Sequence, residues 1–259
     1  MNLDASTLSL LLPAFIAGLL VTATHVPLGM QVLDRGIVFI DLAVAQVAGV
    51  GVILADTLGW EATGPAVQIA ALSAALLCAL LLTWTDRRWP DVQEAIIGVV
   101  FVLASNAAVL LLARNPHGGE HLKDLLVGQI LWANPTHLPI QALVSAVILA
   151  LLLLGMRQKL GRIGFYVVFA CAVTVSVQLV GLYLVFATLV VPALSTFYSR
   201  KHRYLKGYSV GILGYALGLA ASAVTDLPSG SMIVCAIVLV GAAMGLLAPR
   251  DKPSPSHAE

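Results

Sequence analysis

Eight long apolar runs constrain this chain more than any other feature of its sequence. They cover residues 8–33, 37–58, 65–84, 95–113, 138–156, 164–198, 208–224 and 231–248, with charge, glycine and proline gathered between them. A helix needs roughly 20 apolar residues to cross about 30 Å of hydrocarbon. Backbone groups in lipid must be paired within their own segment, so each run reads as a helix. The run 164–198 would form a helix of about 50 Å, too long for one crossing, and it divides near Gly181 into two passes. The expected fold is therefore all-α, a polytopic transmembrane helix bundle of about nine (eight to nine) spans. It forms a single transmembrane domain over residues 1–248, followed by a polar, Pro-rich stretch, 249–259, that reads as a disordered cytoplasmic tail.

Composition excludes the soluble alternative. The 259 residues are 59% hydrophobic and 10% charged, with a mean hydropathy of +0.96, against about 25% charged in a soluble domain. A net charge of +1 supplies no field to attract nucleic acid. Residues 1–8 contain Asp4 and no Lys or Arg, so they lack the basic start of a cleaved signal peptide, and the first run is expected to remain as a span. Cys78, Cys171 and Cys235 are scattered through apolar runs with no CxxC pair, which suits packing.

Charge sets the expected orientation. With nine passes, the loops on one side hold Arg35, Arg87, Arg88, Arg157, Lys159, Arg162, Arg200, Lys201, Arg203, Lys206, Arg250 and Lys252, leaving only Arg114 and Lys123 opposite. The positive-inside rule then places the N-terminus outside and the C-terminus in the cytoplasm. Gly211, Gly214 and Gly218 share a helix face, as do Gly241 and Gly245, a spacing that serves close packing within the chain or a dimer interface.

A few polar residues stand where lipid would not tolerate them. Asp41 lies about one turn inside the second run, either lining a functional path or pairing with Arg35 at the interface. His25 and Gln46 fall at matched depths, about 10 and 13 Å from the cytoplasmic ends of the first two runs. They can touch a passing cation or hydrogen-bond each other. Gln178 lies farther out on the same route. Pro27 and Pro192 free the carbonyls of Ala23 and Thr188, which can line a conduit or simply accompany kinked packing. In the loop NPHGGEHLKD, 115–124, His117, Glu120 and His121 suit a borderline metal such as zinc, or form an ordinary polar loop. The loop also spells HxxEH, but Gly118 and Gly119 oppose the helix that protease chemistry requires. No GxxxxGK[ST] loop occurs, so ATP-driven work would come from a partner and the chain is expected not to be an enzyme.

Three stretches carry a family resemblance. Residues 34–49 (DRGIVFIDLAVAQVAG) are similar to an arginine followed by a Gly-Asp-Ala-x-Ser-His segment. Residues 94–101 (EAIIGVVF) and 124–131 (DLLVGQIL) resemble AIGI and GDLL elements. Residues 180–193 (VGLYLVFATLVVPA) with 226–230 (DLPSG) resemble VG…LL…PA and D-P-G signatures. In this order they resemble the metal-ion permeases of ABC importers, the ABC-3 type, related to the cobalamin and iron-chelate importer permeases. The resemblance implies import of a divalent metal ion as substrate, zinc first, then manganese or iron, with no permanently bound cofactor and ATP hydrolysed by a partner. It also implies cytoplasmic ATPase subunits, an extracytoplasmic metal-binding protein and a second permease copy. Gln46 stands where the family has its histidine, and the family's aspartate column falls on Leu42, one residue after Asp41. The expected path contacts here are His25, Asp41 and Gln46. The segment 156–164 is shorter than the family's coupling helix, so ATPase docking is expected to involve Arg157, Lys159 and Arg162 together with Asp91 and Glu94. An iron-chelate or cobalamin permease and an ATP-independent secondary metal carrier are the alternatives.

Overall fold

The computed structural model describes residues 5–60, 64–112, 130–132, 138–155, 161–199 and 201–247. Among them are nine α-helices: α1 Ala5–Arg35, α2 Ile40–Thr57, α3 Pro65–Arg88, α4 Gln93–Leu112, α5 Leu138–Gly155, α6 Arg162–Val180, α7 Leu182–Ser195, α8 Arg203–Thr225 and α9 Ser229–Leu247. Short 3-10 turns occupy Pro90–Val92 and Ile130–Trp132, and the described residues contain no strand. Seven of the helices are long and apolar enough to cross a membrane; α7 and the apolar stretch Leu138–Leu152 of α5 are shorter. The tail 249–259 lies outside the described residues.

The division at Gly181 is real and glycine makes it. Its φ of 85° with ψ of 161° is a conformation that a side chain would disfavour. The Gly181 N–H still closes α6 by donating to Val177 O at 2.8 Å. Contacts at the far ends show that α6 and α7 run in opposite directions. Phe165, at the start of α6, lies under the Arg35 guanidinium, 4.2 Å from its ring centroid. Ser195, at the end of α7, approaches Gly245 near the end of α9.

Other contacts extend the same end of the bundle. Arg203 grips Asp34 through two hydrogen bonds of 3.0 and 3.1 Å, joining the start of α8 to the end of α1. Arg162 meets Asp86 at 3.5 Å, joining α6 to α3. The Phe39 N–H donates to Glu94 Oε1 at 3.2 Å, joining α2 to α4. Arg35, Arg87, Arg88, Arg162, Lys201, Arg203 and Lys206 therefore gather at one end, as the alternation of nine passes requires. Trp84 and Trp89 stack edge to face there at 5.3 Å and are about half exposed, the amphipathic belt expected at a membrane–water boundary.

The small residues are spent within the chain. A side chain at Gly211 would meet Thr22 Cγ2 at 2.5 Å, and side chains at Gly214 and Gly218 would strike Ile237 and Ile233 of α9. Gly241 and Gly245 pack toward Val191 and Ser195 of α7. Both glycine faces thus serve packing inside one protomer and are not free for a dimer interface. Gly29 lets α1 cross α7 against the Leu189 carbonyl. Pro27 does free the Ala23 carbonyl, and Tyr208 Oη donates to that oxygen at 3.2 Å, which ties α1 to α8. Thr188 meets Tyr215 Oη at 3.1 Å in the same region, another polar contact used for packing.

Candidate functional site

The sequence VTATH in α1 places Thr22, Thr24 and His25 within a single turn of a buried helix, and all three are at most 2% exposed. His25 Nδ1 lies 3.1 Å from Val21 O and 3.0 Å from Thr24 Oγ1. A carbonyl only accepts, so the bond to Val21 requires the proton on Nδ1. Nε2 then carries the lone pair, and it has no hydrogen-bond partner. A neutral imidazole with a free ring nitrogen is the form that ligates metals.

Asp41 begins α2, is 0% exposed, and neither carboxylate oxygen has a partner. The expected pairing with Arg35 does not occur, because that guanidinium stacks on Phe165. The Asp41 side chain does not reach solvent. An ionised carboxylate buried this way is strongly unfavourable without a cation or a proton, so this position is built for one or the other.

Gln46 faces away from Asp41. At 100° per residue, Asp41 and Gln46 point about 140° apart on α2, whereas Leu42 and Gln46 share one face a turn apart. Gln46 and Leu42 are half-buried, and Leu42 lines an open apolar groove with Phe39, just before α2, and Ala95, Gly98, Val99 and Val102 of α4. The hydrogen bond anticipated between His25 and Gln46 is absent, since Nε2 is unpartnered. Asp41 and Gln46 present their side chains to different sides of α2. Among the described residues no group of three His, Cys, Asp or Glu side chains could hold a metal ion. Gln178, expected on the same route, is exposed near the end of α6.

The other candidates divide. His117, Glu120 and His121 lie outside the described residues, as do Arg157 and Lys159. Arg162 is exposed and paired with Asp86. Asp91 is exposed in the turn before α4. Glu94 has a structural task that the sequence did not reveal: it caps the first turn of α2 from a different helix. Asn106 is a further polar residue at depth to which no motif in the sequence points, because a lone amide in an apolar run carries no spacing signal. It is an exposed amide inside the apolar run of α4, donating to Val102 O at 2.8 Å.

Comparison with known proteins identifies the architecture. The model of the ABC 3 transport family matches residues 7–165 and 154–245, nearly the whole chain. The chain belongs to the ABC 3 transport family. Its fold is also similar to PsaBC from Streptococcus pneumoniae, solved in complex with Fab, with a TM-score of 0.76 at 21% identity over 95% of this chain and 96% of that one. A metal-chelate type ABC transporter in an inward-facing conformation aligns with a TM-score of 0.61 at 17% identity, over 94% of this chain and 88% of that one. As a member of the ABC 3 transport family, the chain is a multi-pass membrane subunit of an ABC transporter, whose ATPase is a separate subunit.

Proposed function

We propose that this permease imports a divalent metal ion, zinc first and manganese or iron next, across a bacterial inner membrane. The observation that carries this reading is the family match over residues 7–165 and 154–245, and the buried, unpartnered His25 Nε2 and Asp41 carboxylate are in keeping with it. Two cytoplasmic ATPase subunits supply the work, an extracytoplasmic metal-binding protein delivers the ion, and a second permease copy completes the passage. The N-terminus lies outside and the C-terminus in the cytoplasm, with the basic end of the bundle facing the ATPases. Docking there involves Arg157, Lys159, Arg162, Asp91 and the α4 start at Glu94. No cofactor is held permanently; the metal is cargo.

Within the passage, Gln46 offers an amide oxygen from the half-open face of α2, while His25 and Asp41 offer ligands from inside the protomer. These groups do not act together in one shell. Alternating access passes the ion among weak, separate contacts, which suits release, since an ion held tightly would not leave. His117, Glu120 and His121 receive the ion at the outer loop.

The test is transport in proteoliposomes holding the permease, its ATPase and the binding protein. Uptake of zinc, manganese and iron is measured with and without ATP. ATP-dependent uptake of one of these ions, lowered in His25→Ala at equal protein level, is the expected result. Uptake without any ATPase would favour the secondary carrier, and uptake only of an organic chelate would favour the iron-chelate alternative.

A further inference from the structure

We infer that the outward face of α4 is the seam against which a second copy of this chain packs, with Asn106 at its centre; this rests on the paired-permease reading above. The exposed residues of α4 are Ala95, Val99, Val102, Leu103, Asn106, Val109 and Leu110, and within this face Ala95, Val99, Val102, Asn106 and Val109 follow alternating spacings of four and three, flanked on one side by Leu103 and Leu110. Val99, Val102 and Val109 are each more than half exposed. The opposite face, Gln93, Ile97, Ala104, Ala108 and Leu112, is buried against the protomer. A four-three repeat is the signature of a seam between two helices, and it places Val99 and Asn106 at a positions and Ala95, Val102 and Val109 at d positions.

Asn106 separates this face from one that lipid can cover. It lies about 9 Å inside the C-terminal end of the described helix. Its amide donates to Val102 O within the helix at 2.8 Å, and hydrocarbon cannot satisfy the remaining N–H and the carbonyl oxygen. By contrast, the outward residues of α5, such as Ile140, Leu143 and Val147, and of α9, such as Val238 and Leu239, are apolar and suit lipid. A carboxamide is both donor and acceptor, so it is self-complementary across a two-fold axis. Two copies in one membrane orientation bring their α4 helices together parallel, and a lone Asn at an a position of a parallel pair fixes register and copy number.

The surroundings agree. The glycine faces that might have served a second copy are occupied within the protomer. The groove of about 550 Å³ between α2 and α4, lined by Phe39, Leu42, Gly98, Val99 and Val102, opens beside the lower part of the seam. A partner helix on α4 would roof this groove and bring the Leu42 and Gln46 face of α2 toward the boundary between copies.

The experiment is disulfide cross-linking of the complete transporter in vesicles, in a chain whose Cys78, Cys171 and Cys235 have been replaced. Single variants Val102→Cys, Asn106→Cys and Val109→Cys should form permease–permease cross-links, and Leu143→Cys and Val238→Cys should not. Copy number is read independently by mass measurement of the purified complex. Two copies without cross-links at positions 102, 106 and 109 would overturn the seam and leave the pairing intact. One copy per complex would overturn both. Asn106→Leu, which keeps the seam apolar, should lower the cross-link yield of Val102→Cys by at least about threefold through lost register; an unchanged yield would remove Asn106 from its role.

Discussion

Glu94 Oε1 accepts the backbone N–H of Phe39 at 3.2 Å, fastening the start of α4 to the start of α2 across 55 residues of chain. The N-cap residue of α2, Phe39, makes no side-chain cap of its own, so a carboxylate from another helix does that work next to Asp41. Glu94→Ala should lower stability by about 0.5–2 kcal/mol, the range for loss of an N-terminal cap, while Glu94→Gln, which keeps an acceptor, should lose less. Thermal unfolding in detergent compares the two. If both variants lose as much, the bond is not what holds the junction.

Asp41→Asn should leave stability unchanged or raise it, because it removes a buried carboxylate that no group in the protomer compensates. ATP-dependent metal uptake should fall by at least about tenfold, as expected for an intramembrane ionisable group with a functional role. Paired unfolding and uptake measurements decide the matter. A variant that unfolds more easily and still transports would mean that the carboxylate is structural.

Two glycines on packed helices should behave differently. A Cβ at Gly29 would strike the Leu189 carbonyl, a backbone atom that cannot swing aside, whereas at Gly245 the nearest atom lies at 3.6 Å. Gly29→Ala should push α1 from α7 and cost about 1–3 kcal/mol as overpacking, and Gly245→Ala should be tolerated. Yield of monodisperse protein and its melting temperature would show the contrast.

Tyr208→Phe leaves the Ala23 carbonyl, released by Pro27, without its donor. Loss of a partner for a fully buried acceptor costs about 1–3 kcal/mol; this bond is only part-buried, so the melting temperature should drop by less than that range implies although the ring is retained. Loss of the same size after Tyr204→Phe, an exposed tyrosine near the same helix start, would show that the hydroxyl at position 208 is not special.

The Asp34–Arg203 pair has good bidentate geometry but is partly exposed. Its coupling in a double-mutant cycle of Asp34→Asn and Arg203→Gln should not exceed about 1 kcal/mol and should shrink in high salt. A larger, salt-insensitive coupling would indicate that the two ends meet out of reach of solvent.

Much of the architecture was legible because lipid imposes a simple rule. Length and charge were enough to divide 164–198 at Gly181, and the backbone turns there with a positive φ. Basic residues could be assigned to one end because every crossing reverses direction. The site was harder to read, since depth along a helix can be counted from sequence but rotation against neighbours cannot. Asp41 and Gln46 lie about 7.5 Å apart along α2 and face different sides of it. The carbonyl exposed by Pro27 could be foreseen; its donor, Tyr208, is 185 positions away. Glu94 was visible as a charge and Asn106 as an interruption in an apolar run, but only packing shows that one caps a helix and the other faces outward.

The long separation between α1 and its neighbours has a consequence for biogenesis. Thr22 and Gly18 pack against Gly211 and Tyr215, and Gly29 against Leu189, all encoded late in the message. At about 5–20 residues per second, the ribosome needs roughly ten to forty seconds to deliver those helices after α1 has been made. For that interval Thr22 and His25 face lipid or the insertion machinery, so quality control has a window in which an orphaned first helix, truncated downstream, can be recognised and removed.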